Sequence, residues 1–255
     1  MCGRFVITSA PAALRQLFGY IEQPNFPPRY NVAPTQPIPV VLLENGARHF
    51  RLMRWGLLPG WVKDPKGFTL LINARSETVL EKPAFKRAIR RRRGLIPADG
   101  YYEWKTEGGR KQPFFIHRAD GEPLGFAALF ETWAGPNGEE VDTVAIVTAA
   151  AAGEDLATLH DRVPVTISPR DFERWLDRSS DDVDAVLPLL TAPRLGEFAW
   201  HPVSTRVNRV ANDDEQLLLP ISAEEIEAEA DAAKPKKAVR KVAAPSSDDG
   251  QGSLF

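Results

Sequence analysis

The stretch "VVLLENGARHFRLMRW", residues 40–55, decides the fold class. Two strand-like runs flank Asn45-Gly46, a dipeptide that favours the tight turn of a β-hairpin. Further short strands are predicted in "GLIPADGYYEW" (94–104), "QPFFIHR" (112–118), "LGFAALFETW" (124–133) and "DTVAIVT" (142–148). Because these strands are mostly joined as hairpins and no βαβ alternation is present, we predict an α+β fold. It would be a single domain with antiparallel, barrel-like sheets and a few flanking helices.

Four helices and a tail complete the predicted organisation. The helices are predicted at Pro11–Gly19 with Ser9 as the cap, at Pro83–Arg93, at Pro169–Leu176 and at Asp181–Leu190. The domain is predicted to span residues 2–221. Residues 222–255 are rich in Ala, Lys, Glu, Pro and Ser and contain no aromatic residue before the last position. Such a segment cannot bury enough apolar surface to order itself, so we predict a disordered tail with at most a transient helix over Ala223–Ala233.

Composition excludes several classes of protein. With 43% hydrophobic and 26% charged residues in 255, the chain is typical of a globular protein. A single cysteine excludes an internal disulfide framework and a cysteine-based metal cluster. No apolar run reaches the roughly 18 residues of a membrane span, and the start lacks the pattern of a signal peptide. We therefore predict a cytoplasmic protein with no membrane partner, no metal and no organic cofactor.

The charge distribution contains one basic segment. Residues 1–221 are neutral overall, and the net charge of −2 comes from the tail, which has seven acidic and five basic residues. Within the neutral part, "FKRAIRRRRGL" holds six bases between Lys86 and Arg93. Two interpretations stay open: a solvated helix face, or a patch that contacts the phosphates of a nucleic acid.

The only cysteine of the chain is its second residue. Cells remove the initiator Met when the next residue is small, which would leave Cys2 with a free amine and a thiol on adjacent carbons. Such a 1,2-aminothiol traps aldehydes, because the amine forms an imine and the sulfur then closes a thiazolidine ring. Both groups are mostly protonated at neutral pH, so a neighbouring acid or base is needed.

Two residues are candidates for that acid or base. Glu103 lies among aromatic residues on a probable strand and shares a strand face with Tyr101, a setting that tends to raise a carboxyl pKa. His160 lies at the junction of a short apolar helix and a strand. Each has a plain structural alternative, an exposed strand glutamate for Glu103 and a surface or core histidine for His160. His49, His117 and His201 are predicted to be structural.

Two further segments have the composition of a ligand-binding surface. "LINARSETV" brings Asn73 and Arg75 onto one strand, where they could face a single anionic ligand or belong to a turn. "RWGLLPGW" places Trp55 and Trp61 around a Pro-Gly turn. Core packing is the simpler account of these tryptophans, and stacking on unpaired bases is the alternative.

Together these motifs resemble the SOS-response-associated peptidase (SRAP) family, the abasic-site-processing proteins. The matching segments are "MCGRF" (1–5), "RYNVAPTQ" (29–36), "RWGLLPGW" (54–61), "INARSET" (72–78), "PADGYYEW" (97–104), "VTAAA" (147–151) and "LHDRVPV" (159–165). The resemblance implies recognition of abasic sites in single-stranded DNA and a covalent thiazolidine crosslink through Cys2 after removal of Met1. It also implies roles in DNA repair and the SOS response, a monomer, self-removal of Met1, and abasic-site lyase side activity.

The resemblance also implies a set of site residues. Cys2 would be the nucleophile, Asn73 would hold the reacting terminus, Glu103 would be the acid or base, and His160 would be a proton shuttle. The DNA-binding residues would be Arg4, Asn31, Pro34, Trp61, Arg75, Thr148 and Arg162. In the tail, Gln251, Leu254 and Phe255 have the Q-x-x-L-F spacing of a peptide that binds the bacterial sliding clamp. Docking there would tether the protein at replication forks and the nucleoid.

Three rival interpretations remain at this stage. A Met-Cys-Gly start is also found in N-terminal-nucleophile amidohydrolases, although the chain lacks a convincing oxyanion Asn-Gly pair. A thiol peptidase could use Cys2, Glu103 and His160 as its catalytic set. A non-enzymatic DNA-binding shield would not need Cys2 at all.

Overall fold

The fold is α+β with a closed barrel, as the sequence predicts. The computed structural model describes residues 2–151, 154–191 and 197–232. The strands are β1 Phe5–Ile7, β2 Arg29–Val32, β3 Pro37–Glu44, β4 Ala47–Trp55, β5 Asn73–Arg75, β6 Arg93–Ala98, β7 Gly100–Glu107, β8 Arg110–Arg118, β9 Leu124–Ala134, β10 Glu140–Ala150, β11 Arg162–Pro164 and β12 Phe198–Pro202. The α-helices are α1 Pro11–Phe18, α2 Ala88–Arg91, α3 Glu154–Ala157, α4 Phe172–Leu176 and α5 Ala223–Ala232.

Five strands close the barrel in the order β10-β4-β3-β6-β9, because β9 pairs back onto β10. Most of these pairs are antiparallel, as predicted, but β10 runs parallel to β4 and to the short strand β5. The predicted hairpin joins β3 and β4. Its turn residues Asn45 and Gly46 both have positive φ, at 50° and 80°, which explains why this dipeptide is used there.

A second sheet, in the order β12-β8-β7-β1-β2, carries the start of the chain. In it β1 pairs with β7, with Phe5 opposite Tyr101. Gly100 allows β7 to come this close to β8, since a Cβ there would lie 2.7 Å from the carbonyl oxygen of Ile116. The ring of Phe5 packs against Trp55 and Phe126 of the barrel, with centroid distances of 5.1 and 6.0 Å. The two sheets are therefore joined at β1, directly after Cys2.

The helix predictions hold in part. The first is confirmed as α1, but Ser9 does not cap it: its hydroxyl donates to Asp99 instead. The prediction at 169–176 is confirmed as a 3₁₀ turn followed by α4. The predicted helix at 83–93 is too long, because only Ala88–Arg91 is α-helical and Arg93 belongs to β6.

The helix predicted at 181–190 is wrong apart from a 3₁₀ turn at Leu187–Leu189. The Asp182 carboxylate accepts a hydrogen bond from the Asp184 N–H (2.9 Å), and this local bond competes with the helical pattern. Pro188 also lacks an amide hydrogen to donate.

The start of the tail, predicted to be disordered with at most a transient helix, forms the helix α5, which hydrogen-bonds to the domain. Glu229 on this helix accepts hydrogen bonds from the amide and hydroxyl of Thr205 (2.8 and 2.6 Å), and Glu227 pairs with Arg110 at 3.1 Å. Residues 233–255, including the predicted clamp-binding Gln251, Leu254 and Phe255, lie outside the described residues. None of the described helices is long and apolar enough to cross a bilayer.

Candidate active site

Cys2 is fully buried where β1 meets the barrel. Its Sγ lies 3.8 Å from the carbonyl oxygen of Arg4, and its own carbonyl accepts a hydrogen bond from Asn73 Nδ2 at 2.9 Å. Burial, and secondarily the charge of Glu103, raises the pKa of the thiol above its ordinary value. The thiol is therefore protonated at neutral pH in this environment, and its activation requires a base.

Trp55 links β1, the strand that follows Cys2, to the strand that carries Asn73. Its ring packs on Phe5 of β1, and its Nε1 donates to the carbonyl oxygen of Ile72 at 3.0 Å, directly before Asn73. The side chain has no exposed surface. This tryptophan is a core residue, as the simpler sequence interpretation holds, and it fixes the distance between two site residues.

Glu103 lies in β7 with only 3% of its surface exposed. Burial raises the pKa of this carboxyl to about 7, and the positive charge of the chain's amino terminus opposes that shift. A carboxyl with a pKa near 7 exchanges protons readily at neutral pH. The prediction of a buried, perturbed carboxyl on the face of Tyr101 is confirmed, and the exposed-strand alternative is wrong.

Tyr101 lies beside both groups, since the charges of Cys2 and Glu103 add to burial in raising its phenol pKa. Its hydroxyl is buried and has no hydrogen-bond partner in the described part of the chain, and the same is true of Asn73 Oδ1. Buried polar atoms are normally paired. Two unpaired ones next to a cysteine indicate a place where a polar ligand atom or water can bind.

His160 lies between α3 and β11, and its side chain is 29% exposed. Its Nδ1 accepts a hydrogen bond from the Arg162 N–H at 3.1 Å and lies 2.7 Å from an oxygen of Asp161. Burial lowers the pKa of the ring, with a further contribution from the charge of the amino terminus. The lowered pKa favours the neutral ring, which can donate a proton from one nitrogen and accept one at the other.

Arg4 and Asn31 bond to each other. The guanidinium of Arg4 donates to Asn31 Oδ1 (2.9 Å) and to the Val207 carbonyl (2.8 Å). Asn31 is fully buried, and its Nδ2 donates to three carbonyls of the 207–212 segment. In this structure Asn31 holds that segment, while Arg4 has no carboxylate partner among the described residues. A phosphate contact by either stays a prediction.

Thr148 and Arg162 are likewise bonded together. Arg162 Nε donates to Thr148 Oγ1 (3.2 Å), and its two terminal nitrogens bind Glu77 at 3.2 and 2.9 Å. The pKa of Glu77 is lowered, chiefly by its hydrogen bond with Arg162. These contacts fix β10 against β11 beside His160. DNA contact by Thr148 or Arg162 stays a prediction.

Three of the predicted DNA-binding residues present free surface. Trp61 is 60% exposed and stands edge-on to Phe68, with ring centroids 5.6 Å apart. Arg75 is exposed at the end of β5, and no described residue pairs with its guanidinium. Pro34 is half-buried beside Thr35, whose φ of 75° is uncommon for a β-branched residue.

Sequence reasoning missed Asp99 as a support of this site. Its carboxylate accepts hydrogen bonds from the amides of Thr8 (2.5 Å) and Ser9 (2.8 Å), which follow β1. The sequence predicts a single strand over 94–104, but the chain breaks at Asp99 into β6 and β7, and the partners of Asp99 lie about ninety residues away in the chain. Within the described ranges, no three His, Cys, Asp or Glu side chains are grouped as metal ligands would be.

The sequence matches one protein family and is similar to proteins of known name. The family model described as "SOS response associated peptidase (SRAP)" matches residues 1–210. "Abasic site processing protein YedK" of Escherichia coli is 37% identical over 231 residues, which cover 87% of this chain and all of that protein. "Abasic site processing protein YoqW" of Bacillus subtilis is 33% identical, over 86% of this chain and 99% of its own length.

Among solved structures, a protein from Bacteroides thetaiotaomicron superimposes with a TM-score of 0.78. It is 22% identical and covers 87% of this chain and 100% of its own. At this identity the match shows a shared fold. The α+β barrel is thus seen in an experimentally solved protein as well.

Proposed function

The chain belongs to the SOS response associated peptidase family, and from this premise we propose that it processes abasic sites in single-stranded DNA. In this proposal the protein forms a covalent thiazolidine crosslink through Cys2 after Met1 has been removed. The crosslink shields the lesion. The relatives named above support the choice of substrate, since both are named for abasic-site processing.

One observation carries the proposal: Cys2, Asn73 and Glu103 meet at one buried place. Asn73 binds the Cys2 carbonyl at 2.9 Å, and the charge of Glu103 acts on the Cys2 thiol. An aldehyde trap needs an aminothiol, a group that orients it and a proton donor, and these three residues supply them.

The proposed reaction balances without a cofactor. An abasic deoxyribose in its open form carries an aldehyde at C1′. The Cys2 amine adds to that carbon, and the oxygen leaves as water, which gives an imine. The thiol sulfur then adds to the same carbon, and the imine nitrogen takes up a proton. One C–N and one C–S bond form, both C–O bonds of the aldehyde break, and one water is released.

Glu103 has the proton affinity that this sequence requires. With a pKa raised to about 7 by burial, it can accept a proton from the amine and then donate one to the departing oxygen. His160, neutral because burial lowers its pKa, is proposed as the shuttle that opens the sugar ring and assists reversal. Asn73 keeps the terminus in place while both bonds form.

Three residues are proposed to hold the DNA around the lesion. Arg75 is exposed and has no carboxylate partner in the described part of the chain, so its charge is available to a phosphate. Arg4, also without a carboxylate partner there, is proposed to bind the phosphate on the other side. Trp61 presents an exposed ring on which a neighbouring base can stack.

Removal of Met1 is proposed as the activating step. Cys2 is fully buried in the chain that retains Met1, and without trimming it has no free amine. Proteolysis of other proteins and amide hydrolysis are not proposed, since no observation favours a peptide or amide substrate. The clamp-binding tail stays a prediction.

The test is adduct formation on a denaturing gel. Met1-trimmed protein is mixed with single-stranded DNA that carries one abasic site, and with the same strand without it. We expect a heat-stable adduct on the abasic strand alone, and none with Cys2→Ala. An adduct that survives Cys2→Ala, or no adduct from trimmed wild-type protein, would sink the proposal.

Cys2→Ser is the matched control for the thiazolidine. Serine keeps the amine but cannot supply the sulfur, so the variant should form only a labile imine and promote strand cleavage. A heat-stable adduct from Cys2→Ser would place the linkage on the amine alone.

A further inference from the structure

The basic segment at 82–93 divides into an inward half and an outward half. Arg93 is buried and donates hydrogen bonds to the carbonyls of Trp175 and Ile89, both at 2.7 Å. Arg92 pairs with Glu131, and Arg91 pairs with Asp181. These three arginines are therefore used within the protein, which leaves four of the seven basic residues at 82–93.

The outward half consists of Lys82, Lys86, Arg87 and Arg90, which we call the α2 patch. All four side chains are exposed. Arg90 donates only to a backbone carbonyl, that of Asp181, at 3.0 Å. No described carboxylate pairs with any of the four.

The α2 patch borders an open groove of about 500 Å³. Lys86, Arg87 and Arg90 line it together with Leu80, which is 37% exposed, and with Arg91 and Asp181, which form an ion pair with each other. The positive charge of the patch also acts on a neighbouring arginine. The pKa of Arg92 is lowered chiefly by burial and next by the charge of Arg87. An anion in the groove would relieve this repulsion.

The α2 patch is connected to the proposed DNA site both along the chain and through the paired strands of the barrel. Arg75 ends β5, a 3₁₀ turn follows at Ser76–Thr78, and the Lys82 amide bonds back to the Thr78 carbonyl at 3.0 Å. Across the sheet, Asn73 lies opposite Ile146, Ile146 opposite Ala128, and Ala128 opposite Gly94. Three strand spacings separate Asn73 from Gly94, about 14 Å along the sheet.

We propose that the α2 patch is a second phosphate-binding surface, which holds the backbone of the single strand beyond the nucleotide that reaches Cys2. The inference rests on the proposed function for its ligand. Charge complementarity favours a polyanion, and the groove is open to solvent beside the patch. The patch would add affinity that is independent of the lesion and sensitive to salt.

The test compares two variants that each remove one lysine and one arginine charge. Lys86→Gln/Arg87→Gln changes the α2 patch. Arg15→Gln/Lys111→Gln is the control, because both of its residues are exposed, lie on α1 and β8, and have no described carboxylate partner. Binding is measured by fluorescence anisotropy with undamaged single strands, so that the result does not depend on Cys2 chemistry. A short strand is compared with one extended by about ten nucleotides, a typical single-strand site size.

We expect the patch variant to bind the extended strand about tenfold more weakly than wild type. The slope of log K against log salt should fall by about 1.4, since each lost phosphate contact on a single strand contributes about 0.7. The control variant should match wild type. Equal binding of the extended strand by both variants would overturn the inference and leave an acidic protein surface as the partner to test.

The two proposals fail separately. If the patch variant binds the extended strand as tightly as wild type does, and the wild-type protein forms the adduct, the second surface is ruled out and the crosslinking function stands. If the α2 patch contributes salt-dependent binding but the wild-type protein forms no adduct, the crosslinking function is ruled out and the second surface stands.

Discussion

Glu103 sets the pH range in which the proposed chemistry can run. The Cys2 amine must be neutral to attack, and its ordinary pKa is about 7.7–8.0. Glu103 must be protonated to donate to the leaving oxygen, and burial raises its pKa to about 7. The productive site therefore holds one proton between the two groups, so the rate rises as the amine loses its proton and falls as Glu103 loses its own.

We predict a bell-shaped dependence of the adduct rate on pH, with its maximum near neutrality. Glu103→Gln keeps the shape of the side chain but cannot exchange a proton. Its rate should be lower by about 10²–10⁴ and should rise with pH without the falling limb. Single-turnover adduct formation from pH 5 to 9 measures both profiles. If the rate of Glu103→Gln still falls at high pH, the falling limb is caused by the titration of a group other than Glu103.

Among the elements, β1 depends on contacts far along the chain for its position. Asp99, between β6 and β7, accepts hydrogen bonds from the amides of Thr8 and Ser9 and from the Ser9 hydroxyl. These bonds fix the strand that begins three residues after Cys2. Asp99 touches none of the reacting groups, so we regard it as a positioning residue.

Asp99→Ala should lower the free energy of unfolding by about 2 kcal/mol, because it removes a charged acceptor of several hydrogen bonds. It should also slow adduct formation at a temperature where the variant is fully folded, since β1 is then held less firmly. Asp99→Asn keeps one acceptor oxygen and should restore part of the free energy of unfolding and part of the adduct rate. Denaturant unfolding and the adduct rate are the two measurements. An unchanged adduct rate in folded Asp99→Ala would show that β1 is held adequately by other contacts.

Local chemistry explains which elements the sequence predicts well. The β3–β4 hairpin is predictable because Asn45-Gly46 favours one turn geometry and the flanking runs are apolar. Helix α1 is predictable from Pro11 at its start and Gly19 after its end. The helix expected at 83–93 ends before Arg93 because pairing of Arg93 with Leu129 in the barrel overrides local propensity.

At the scale of the whole molecule, sequence motifs predict which residues are candidates for the site. They do not predict the contacts between distant segments that hold those residues in place. Cys2 and Glu103 could be selected from residue type and setting. That Trp55 ties β1 to Asn73, or that Glu77 neutralises Arg162, depends on contacts between distant segments. The unpaired hydroxyl of Tyr101 is likewise a property of the assembled core.

The assembled fold places Cys2 at the junction of two sheets, and the proposed function requires a linkage through both its nitrogen and its sulfur. The most direct test is the intact mass of the adduct between the Met1-trimmed protein and an abasic oligonucleotide, with and without borohydride. We predict the sum of the two masses less one water, unchanged by borohydride, because a thiazolidine has no C=N bond to reduce. A gain of two hydrogens on reduction would reveal an imine and contradict the account.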